Sequence, residues 1–168
     1  MNTSRPGTPT AVVVLLARLV LGGVFIALGA VKYADPVAFM KGVREYDLFS
    51  PGSTALNWIA ATLPVLEIVL GACLVLGIAV RGAALATGVS LIAFTTAVLL
   101  RAFAIHAAQG GDFCAIAFDC GCGTGVERIC RKVPENVGMI VLATIVVCSS
   151  TTRFMLWPRV PRSSAMTA

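Results

Sequence analysis

The sequence predicts an all-α integral membrane protein, a bundle of four spanning helices with a cysteine-rich extramembrane loop between the third and fourth spans. Of the 168 residues, 58% are hydrophobic and only 12% are charged. The mean hydropathy is +0.91. Soluble domains carry about 25% charged residues, so this apolar excess does not fit one small water-soluble core. The apolar residues also fall into long runs, and a helix crosses a bilayer with roughly 20 such residues.

Each long apolar run is predicted to be one spanning helix, because a helix satisfies its own backbone hydrogen bonds in lipid. The runs cover about residues 11–31, 58–80, 82–105 and 137–157. Arg18 lies in the first run, and Pro64 and Glu67 lie in the second. Arg153 is close to the end of the fourth, where its long side chain can reach the membrane surface. The whole chain is predicted to form a single membrane domain.

Residues 36–49, between the first two runs, interleave apolar and charged side chains, which is typical of a short helix at the membrane surface. Basic residues without acids are dense near the N-terminus, at the turn after the second run and in the tail. This density predicts that both termini are cytoplasmic and that the long loops face outward. A raw count of basic residues favours the reverse orientation. The predicted location is a bacterial inner (plasma) membrane, with the cysteine loop in the periplasm.

The loop of about residues 109–135 holds four of the six cysteines, namely Cys114, Cys120, Cys122 and Cys130. Their spacing matches neither the paired cysteines of zinc sites nor the usual ferredoxin patterns, so no metal site is predicted. Cys120-Gly121-Cys122 places two thiols two residues apart, and a bridge between them would close a small, strained and easily reduced ring. Gly121 would permit the backbone bend that this ring needs.

Cys120 and Cys122 are therefore the predicted redox pair, and Cys114 and Cys130 are predicted to be resolving thiols or a structural staple. Four cysteines allow three pairings, and the sequence leaves all three open. Cys73 and Cys148 lie within the second and fourth runs and are predicted to be small apolar packing residues.

Two charged residues lie inside the spans, where an isolated charge costs roughly 2.5–3.5 kcal/mol. Counted from the helix ends, Arg18 and Glu67 differ in depth by only about 6 Å, at about 1.5 Å per helical residue. We therefore expect an ion pair between Arg18 and Glu67. The pair is either structural or placed beside a quinone head group.

Other functional classes lack support in the sequence. The basic residues are few and scattered and form no recognition motif, so nucleic-acid binding is not predicted. The spans lack a chain of polar residues suited to transport. No glycine-rich phosphate loop or hydrolytic triad is visible.

Three motifs span most of the chain: Arg18-x3-Gly22-x2-Phe25-x3-Gly29-x2-Lys32, then Pro64-x2-Glu67-x3-Gly71 followed by Gly77, and finally Asp119-Cys120-Gly121-Cys122-Gly123. In order and spacing they resemble the signatures of the MauE/DoxX family of four-span, redox-associated membrane proteins. The resemblance covers about residues 12–157. The chain departs from the usual Cys-Gly-Cys-Phe-Gly pattern after Cys122, and its Cys114 and Cys130 are additions to that pattern.

The resemblance implies thiol–disulfide exchange at the outer membrane face. MauE proteins are associated with disulfide formation in methylamine dehydrogenase alongside a thioredoxin-like partner, and DoxX relatives with quinone-linked assemblies. The expected partners are the lipid bilayer and a thioredoxin-like protein or a larger membrane complex, with a membrane quinone as the candidate cofactor. The alternative is a non-catalytic accessory subunit of a respiratory or photosynthetic membrane complex, with its loop stapled by structural disulfides.

Overall fold

The computed structural model describes residues 8–47, 53–119, 121 and 125–149. Its helices, in chain order, are α1 (Thr8–Ala34), α2 (Pro36–Arg44), α3 (Thr54–Leu76), α4 (Val80–Gln109) and α5 (Ile129–Cys148). Between α4 and α5, a short 3-10 turn (Phe113–Ala115) precedes an antiparallel hairpin of β1 (Ala117–Asp119) and β2 (Val126–Arg128). The predicted all-α class, with an extramembrane loop before the last helix, is confirmed.

Helices α1, α3 and α4 are each long and apolar enough to cross a membrane, and an 18-residue stretch of each has a mean hydropathy of 2.6, 2.3 and 2.0, respectively. Helix α5 begins at Ile129, upstream of the predicted start at residue 137, and its first two turns are polar. The beginning of this helix therefore cannot be recognised from hydropathy. Helix α5 ends at Cys148, with Ser149 as its C-cap. Residues 150–157 of the predicted run lie outside the described residues.

Helix α1 packs most extensively against α3, and glycines on both helices allow the close approach. A Cβ atom added at Gly22 would lie 2.7 Å from the carbonyl oxygen of Gly71, and one added at Gly71 would lie 2.6 Å from that of Gly22. Further along, a Cβ atom at Gly29 would lie 2.8 Å from the carbonyl oxygen of Pro64. These contacts set the antiparallel register of the two helices.

We expect Gly22→Ala to destabilise the protein by about 1–3 kcal/mol, because the added methyl group overlaps the backbone of α3. Gly23→Ala is the matched control, since a Cβ atom there meets nothing within 4 Å. It should be neutral or slightly stabilising, because alanine favours helix over glycine by roughly 1 kcal/mol. Thermal unfolding in detergent would compare the two variants, and equal effects would show that Gly22 is not a close contact.

Helix α2 and the hairpin cover the end of the bundle where α1 ends and α3 begins. Asp35 caps α2 by accepting a hydrogen bond from the Ala38 amide at 2.9 Å, and Phe39 of α2 packs against Leu56 of α3. The rings of Tyr46 and Phe118 meet edge to face with centroids 5.9 Å apart, which anchors the hairpin. The helix predicted over residues 36–49 thus ends at Arg44, and its residues 48 and 49 lie outside the described residues.

Candidate redox site at the loop end of the bundle

A disulfide joins Cys114 to Cys130, with Cα atoms 5.1 Å apart across 16 residues. Cys114 lies in the 3-10 turn and Cys130 in the first turn of α5, so the bridge closes the base of the hairpin. Cys114 and Cys130 were predicted to be either resolving thiols or a structural staple, and the structure shows them joined to each other. Cys120 and Cys122 are the two loop cysteines that this bridge does not use.

The predicted redox pair, Cys120 and Cys122, lies outside the described residues, but the residues around it locate the turn. The Asp119 Oδ1 atom accepts a hydrogen bond from the Gly121 amide at 2.9 Å. Gly121 has a φ of +64°, in the left-handed region that glycine adopts without steric cost. The backbone freedom expected of Gly121 is therefore used in the turn.

Helix α2 holds this turn by a contact between two glycines. A Cβ atom at Gly42 would lie only 2.6 Å from the Cα atom of Gly121. On the other side of the contact, a Cβ atom at Gly121 would lie 3.5 Å from the Val43 amide nitrogen and 3.6 Å from the Phe39 ring. The turn between the two cysteines is thus packed directly on the backbone of α2.

A pocket of about 310 Å³, here called the loop pocket, lies beside the turn. Asp119 and Gly121, which flank Cys120 in the chain, both line it, as do Asp35 and Phe39. Lys32 of α1 forms its inner wall, since this residue also lines the next cavity inward. The chain neighbours of the predicted redox pair therefore open onto a space that a small molecule or a partner side chain can enter.

A smaller cavity of about 50 Å³, here called the inner cavity, lies between the four long helices. Its polar lining comes from Lys32 of α1, Glu67 of α3, Ser90 of α4, and Lys132 and Asn136 of α5. Lys32, Lys132 and Asn136 are 4%, 5% and 1% exposed. Charged and amide groups this deeply buried in a membrane bundle are costly, and they mark a candidate functional site by default.

Lys32 and Glu67 form the ion pair of this cavity, with the Lys32 Nζ atom 2.5 Å from Glu67 Oε1. The ammonium group also lies 5.4 Å from the ring centroid of Phe39 and 5.8 Å from that of Phe94, within the range of cation–π attraction. Glu67 Oε2 is buried and has no hydrogen-bond partner among the described residues. One carboxylate oxygen is thus bound to Lys32, and the other is available to the cavity.

The predicted ion pair between Arg18 and Glu67 is wrong. Arg18 is 3% exposed, and its Nε atom donates a hydrogen bond to the carbonyl oxygen of Leu74 at 3.1 Å. The glycine contacts set α1 against α3 so that Glu67 lies level with Gly29, where a Cβ atom would touch Glu67 Cβ at 3.1 Å. Arg18 is 11 residues from Gly29, so it lies about three helical turns, or roughly 16 Å, away along the axis. It lines neither of the two cavities.

The family model described as Methylamine utilisation protein MauE matches residues 10–149. The chain belongs to the MauE family. The match runs from the first turn of α1 to the C-cap of α5, so it includes both cavities and the hairpin. No curated protein and no solved structure matches the chain. Membership indicates a membrane protein in a redox-related setting.

The two cysteines outside the loop of this MauE protein are free and lie away from the site. Cys73 is half-buried and packs against the core cluster that includes Leu74, as predicted for an apolar packing residue. Cys148 is exposed at the end of α5. Neither lines the loop pocket or the inner cavity.

Several residues of the inner cavity of this MauE protein were not predicted from the sequence. Lys32 and Lys132 lie outside the predicted spans of residues 11–31 and 137–157, yet both are buried. Asn136 donates a hydrogen bond to Thr95 Oγ1 at 3.1 Å and is also buried. The sequence did contain a signal for the burial of Lys32. This residue is the last position of the first-span motif, and Arg18 and Phe25 of the same motif are also buried.

Proposed function

We propose that this MauE-family protein carries out thiol–disulfide exchange through Cys120 and Cys122. The observation that carries the proposal is the Cys114–Cys130 bridge. It occupies two of the four loop cysteines and staples the hairpin, so the remaining two form the exchanging pair. A structural bridge resists reduction, whereas a strained and accessible one exchanges readily, and these roles suit the two pairs respectively.

The surroundings of the turn support this role. Gly42 and Asp119 hold Gly121 in position, and the loop pocket gives access to the chain on either side of Cys120. In the exchange, a thiolate of the partner attacks the Cys120–Cys122 disulfide and forms a mixed disulfide. The partner's second thiolate then breaks that bond, so the partner is oxidised by two electrons and the Cys120–Cys122 pair is reduced to the dithiol.

The dithiol must then be re-oxidised, and we propose a membrane quinone as the acceptor. The quinone would take two electrons and two protons from the dithiol and leave as the quinol. The proposed partner is a soluble thioredoxin-like protein. A loop disulfide is typical of oxidising compartments, which supports a periplasmic loop and cytoplasmic termini in a bacterial inner membrane.

Titration in glutathione buffers, followed by alkylation and mass mapping, tests the exchange. We expect Cys120 and Cys122 to convert between dithiol and disulfide at potentials near those of known exchange proteins, between about −120 and −270 mV. Cys114–Cys130 should stay linked over that range. Cys73→Ser is the control variant and should leave the titration unchanged.

A Cys120–Cys122 bridge that persists well below about −300 mV would contradict exchange and favour the accessory-subunit role with a stapled loop. Failure to find the two residues linked, to each other or to glutathione, would also reject the proposal.

A further inference from the structure

An apolar groove of about 230 Å³, here called the lateral groove, lies between α4 and α5 on the outer surface of the bundle. Its floor is formed by small buried residues, among them Ala84 and Ala143. Its rim is formed by larger side chains of α4, each more than half exposed, namely Leu85, Val89 and Ile92. The groove shares no lining residue with the loop pocket or the inner cavity, so it is a separate feature of the lipid-facing surface.

Arg81 lies at one end of the lateral groove, in the first turn of α4 and three residues before Ala84. Its Nε and Nη2 atoms donate hydrogen bonds to the carbonyl oxygen of Ser149, the C-cap of α5, at 3.2 and 2.6 Å. The guanidinium group therefore bridges the two helices that form the groove. Within the part of the chain that the structure describes, Arg81 has no carboxylate partner.

The sequence offers Arg81 no carboxylate at this end of the bundle. Helix α1 begins, α3 ends, α4 begins and α5 ends here, opposite the hairpin. Residues 1–34, 68–111 and 136–168, which include these four helix ends, contain no Asp or Glu. A second copy of this chain, packed alongside in the same orientation, therefore has no acidic side chain to place beside Arg81. An anionic headgroup of the membrane can supply the negative charge.

The backbone at the start of α4 adds to the positive charge at this end of the groove. The first amides of an α-helix lack intrahelical partners and carry a partial positive charge. The N-cap, Ala79, makes no side-chain hydrogen bond to them, and the first turn holds no acidic residue. Arg81 and these amides thus lie together, and both favour an anion.

The length of the lateral groove matches one leaflet of a bilayer. Arg81 and Ile92 are 11 residues apart on α4, or roughly 16 Å along the axis. Half of a hydrocarbon core that is about 30 Å thick measures about 15 Å. A lipid chain that begins at a headgroup beside Arg81 would therefore follow the groove to the middle of the bilayer.

We propose that Arg81 and the lateral groove form a binding site for an anionic phospholipid. The phosphate group lies against the Arg81 guanidinium group and the first amides of α4, and one acyl chain lies in the groove. Such a lipid contacts both α4 and α5, so it stabilises their packing at the end opposite the hairpin. The site does not include the cysteine loop, and the inference is independent of the proposed exchange function.

Thermal unfolding of the full chain in dodecyl maltoside micelles tests the proposal, with dioleoyl phosphatidylglycerol or dioleoyl phosphatidylcholine added. Native mass spectrometry measures how much of each lipid is bound. We expect the anionic lipid to raise the melting temperature and to bind about fivefold more tightly than the zwitterionic one, the factor for one arginine at an anionic surface. Arg81→Gln should abolish this preference, and Arg81→Lys should retain it. Arg44→Gln, which removes an exposed arginine near the hairpin, is the control and should behave as the wild type.

A second set of variants tests the groove itself. A Cβ atom at Gly88 lies in ordinary contact with Ala143 at 3.5 Å, so Gly88→Leu can fill the groove without forcing the helices apart. Thr144→Leu narrows the groove from the α5 side. Both variants should lose the shift in melting temperature that phosphatidylglycerol produces. Gly138→Leu is the matched control, because a Cβ atom there meets nothing within 4 Å and the residue does not line the groove.

Unfolding without added lipid shows whether each variant is folded. A folded Arg81→Gln variant that still prefers phosphatidylglycerol would overturn the inference, and so would lipid-induced shifts that persist in a folded groove variant. A wild-type dimer in micelles that Gly88→Leu converts to a monomer would assign the groove to a second copy of the chain, and would also overturn it.

Discussion

Lys32→Met should destabilise the protein by about 3–5 kcal/mol, because it leaves the Glu67 carboxylate buried without its partner. The two side chains are joined at 2.5 Å, and each is largely buried between α1 and α3. Methionine has nearly the length and shape of lysine, so the expected loss comes from the charge and not from a cavity. Unfolding by heat or denaturant in detergent micelles would measure it.

Adding Glu67→Gln to Lys32→Met should restore most of the lost stability, since both charges are then gone. By contrast, adding Arg18→Gln to Glu67→Gln should give no rescue, because Arg18 bonds to Leu74 and not to Glu67. Lys41→Met, at an exposed position of α2, should change stability by no more than about 0.5 kcal/mol. If the Lys32–Glu67 double variant is as unstable as Lys32→Met, side-chain packing and not the ion pair stabilises this region.

Gly42→Val is expected to slow exchange with oxidised glutathione by roughly 10- to 100-fold, the loss typical of a reacting group displaced by about 1 Å. A Cβ atom at Gly42 would lie 2.6 Å from Gly121 Cα and 2.8 Å from Gly121 N. These are backbone atoms, which cannot move aside as the end of a side chain can. The turn between Cys120 and Cys122 must therefore move away from α2 and from the loop pocket.

The matched control for this variant is Gly138→Val on α5, where a Cβ atom meets nothing within 4 Å. It should keep the wild-type exchange rate. Stopped-flow mixing with oxidised glutathione and mass mapping of the mixed disulfide would compare the two variants. A wild-type exchange rate in Gly42→Val would show that α2 does not position the turn.

The membrane class and the course of α1, α3 and α4 could be predicted from the sequence, because hydropathy adds up along a local stretch of chain. The start of the fourth predicted span, which corresponds to helix α5, was harder to predict. Its first two turns include Arg131, Lys132 and Glu135, which lower the local hydropathy although the backbone is already helical there. Lys132 is buried between helices, so tertiary packing and not local apolarity explains why this polar stretch belongs to the helix bundle.

The structure of the cysteine loop could also be predicted in part. The Cys-Gly-Cys spacing indicated a tight turn, and the positive φ of Gly121 is a local property of that turn. The pairing of Cys114 with Cys130 could not be predicted from the sequence, because it depends on how the hairpin brings the 3-10 turn to the start of α5. Nothing in residues 36–44 alone shows that Gly42 contacts Gly121, since the two meet across about 80 residues of chain.

By itself, then, the sequence determined which segments are helical and apolar, where the cysteines are concentrated, and that the charges inside the spans need partners. Only the tertiary structure decided which charges meet. The register of α1 on α3, fixed by Gly22, Gly29 and Gly71, brings Lys32 to Glu67 and takes Arg18 to Leu74. A shift of one or two helical turns would change both partners, and counting residues from uncertain helix ends cannot resolve a shift of about 5.4 Å.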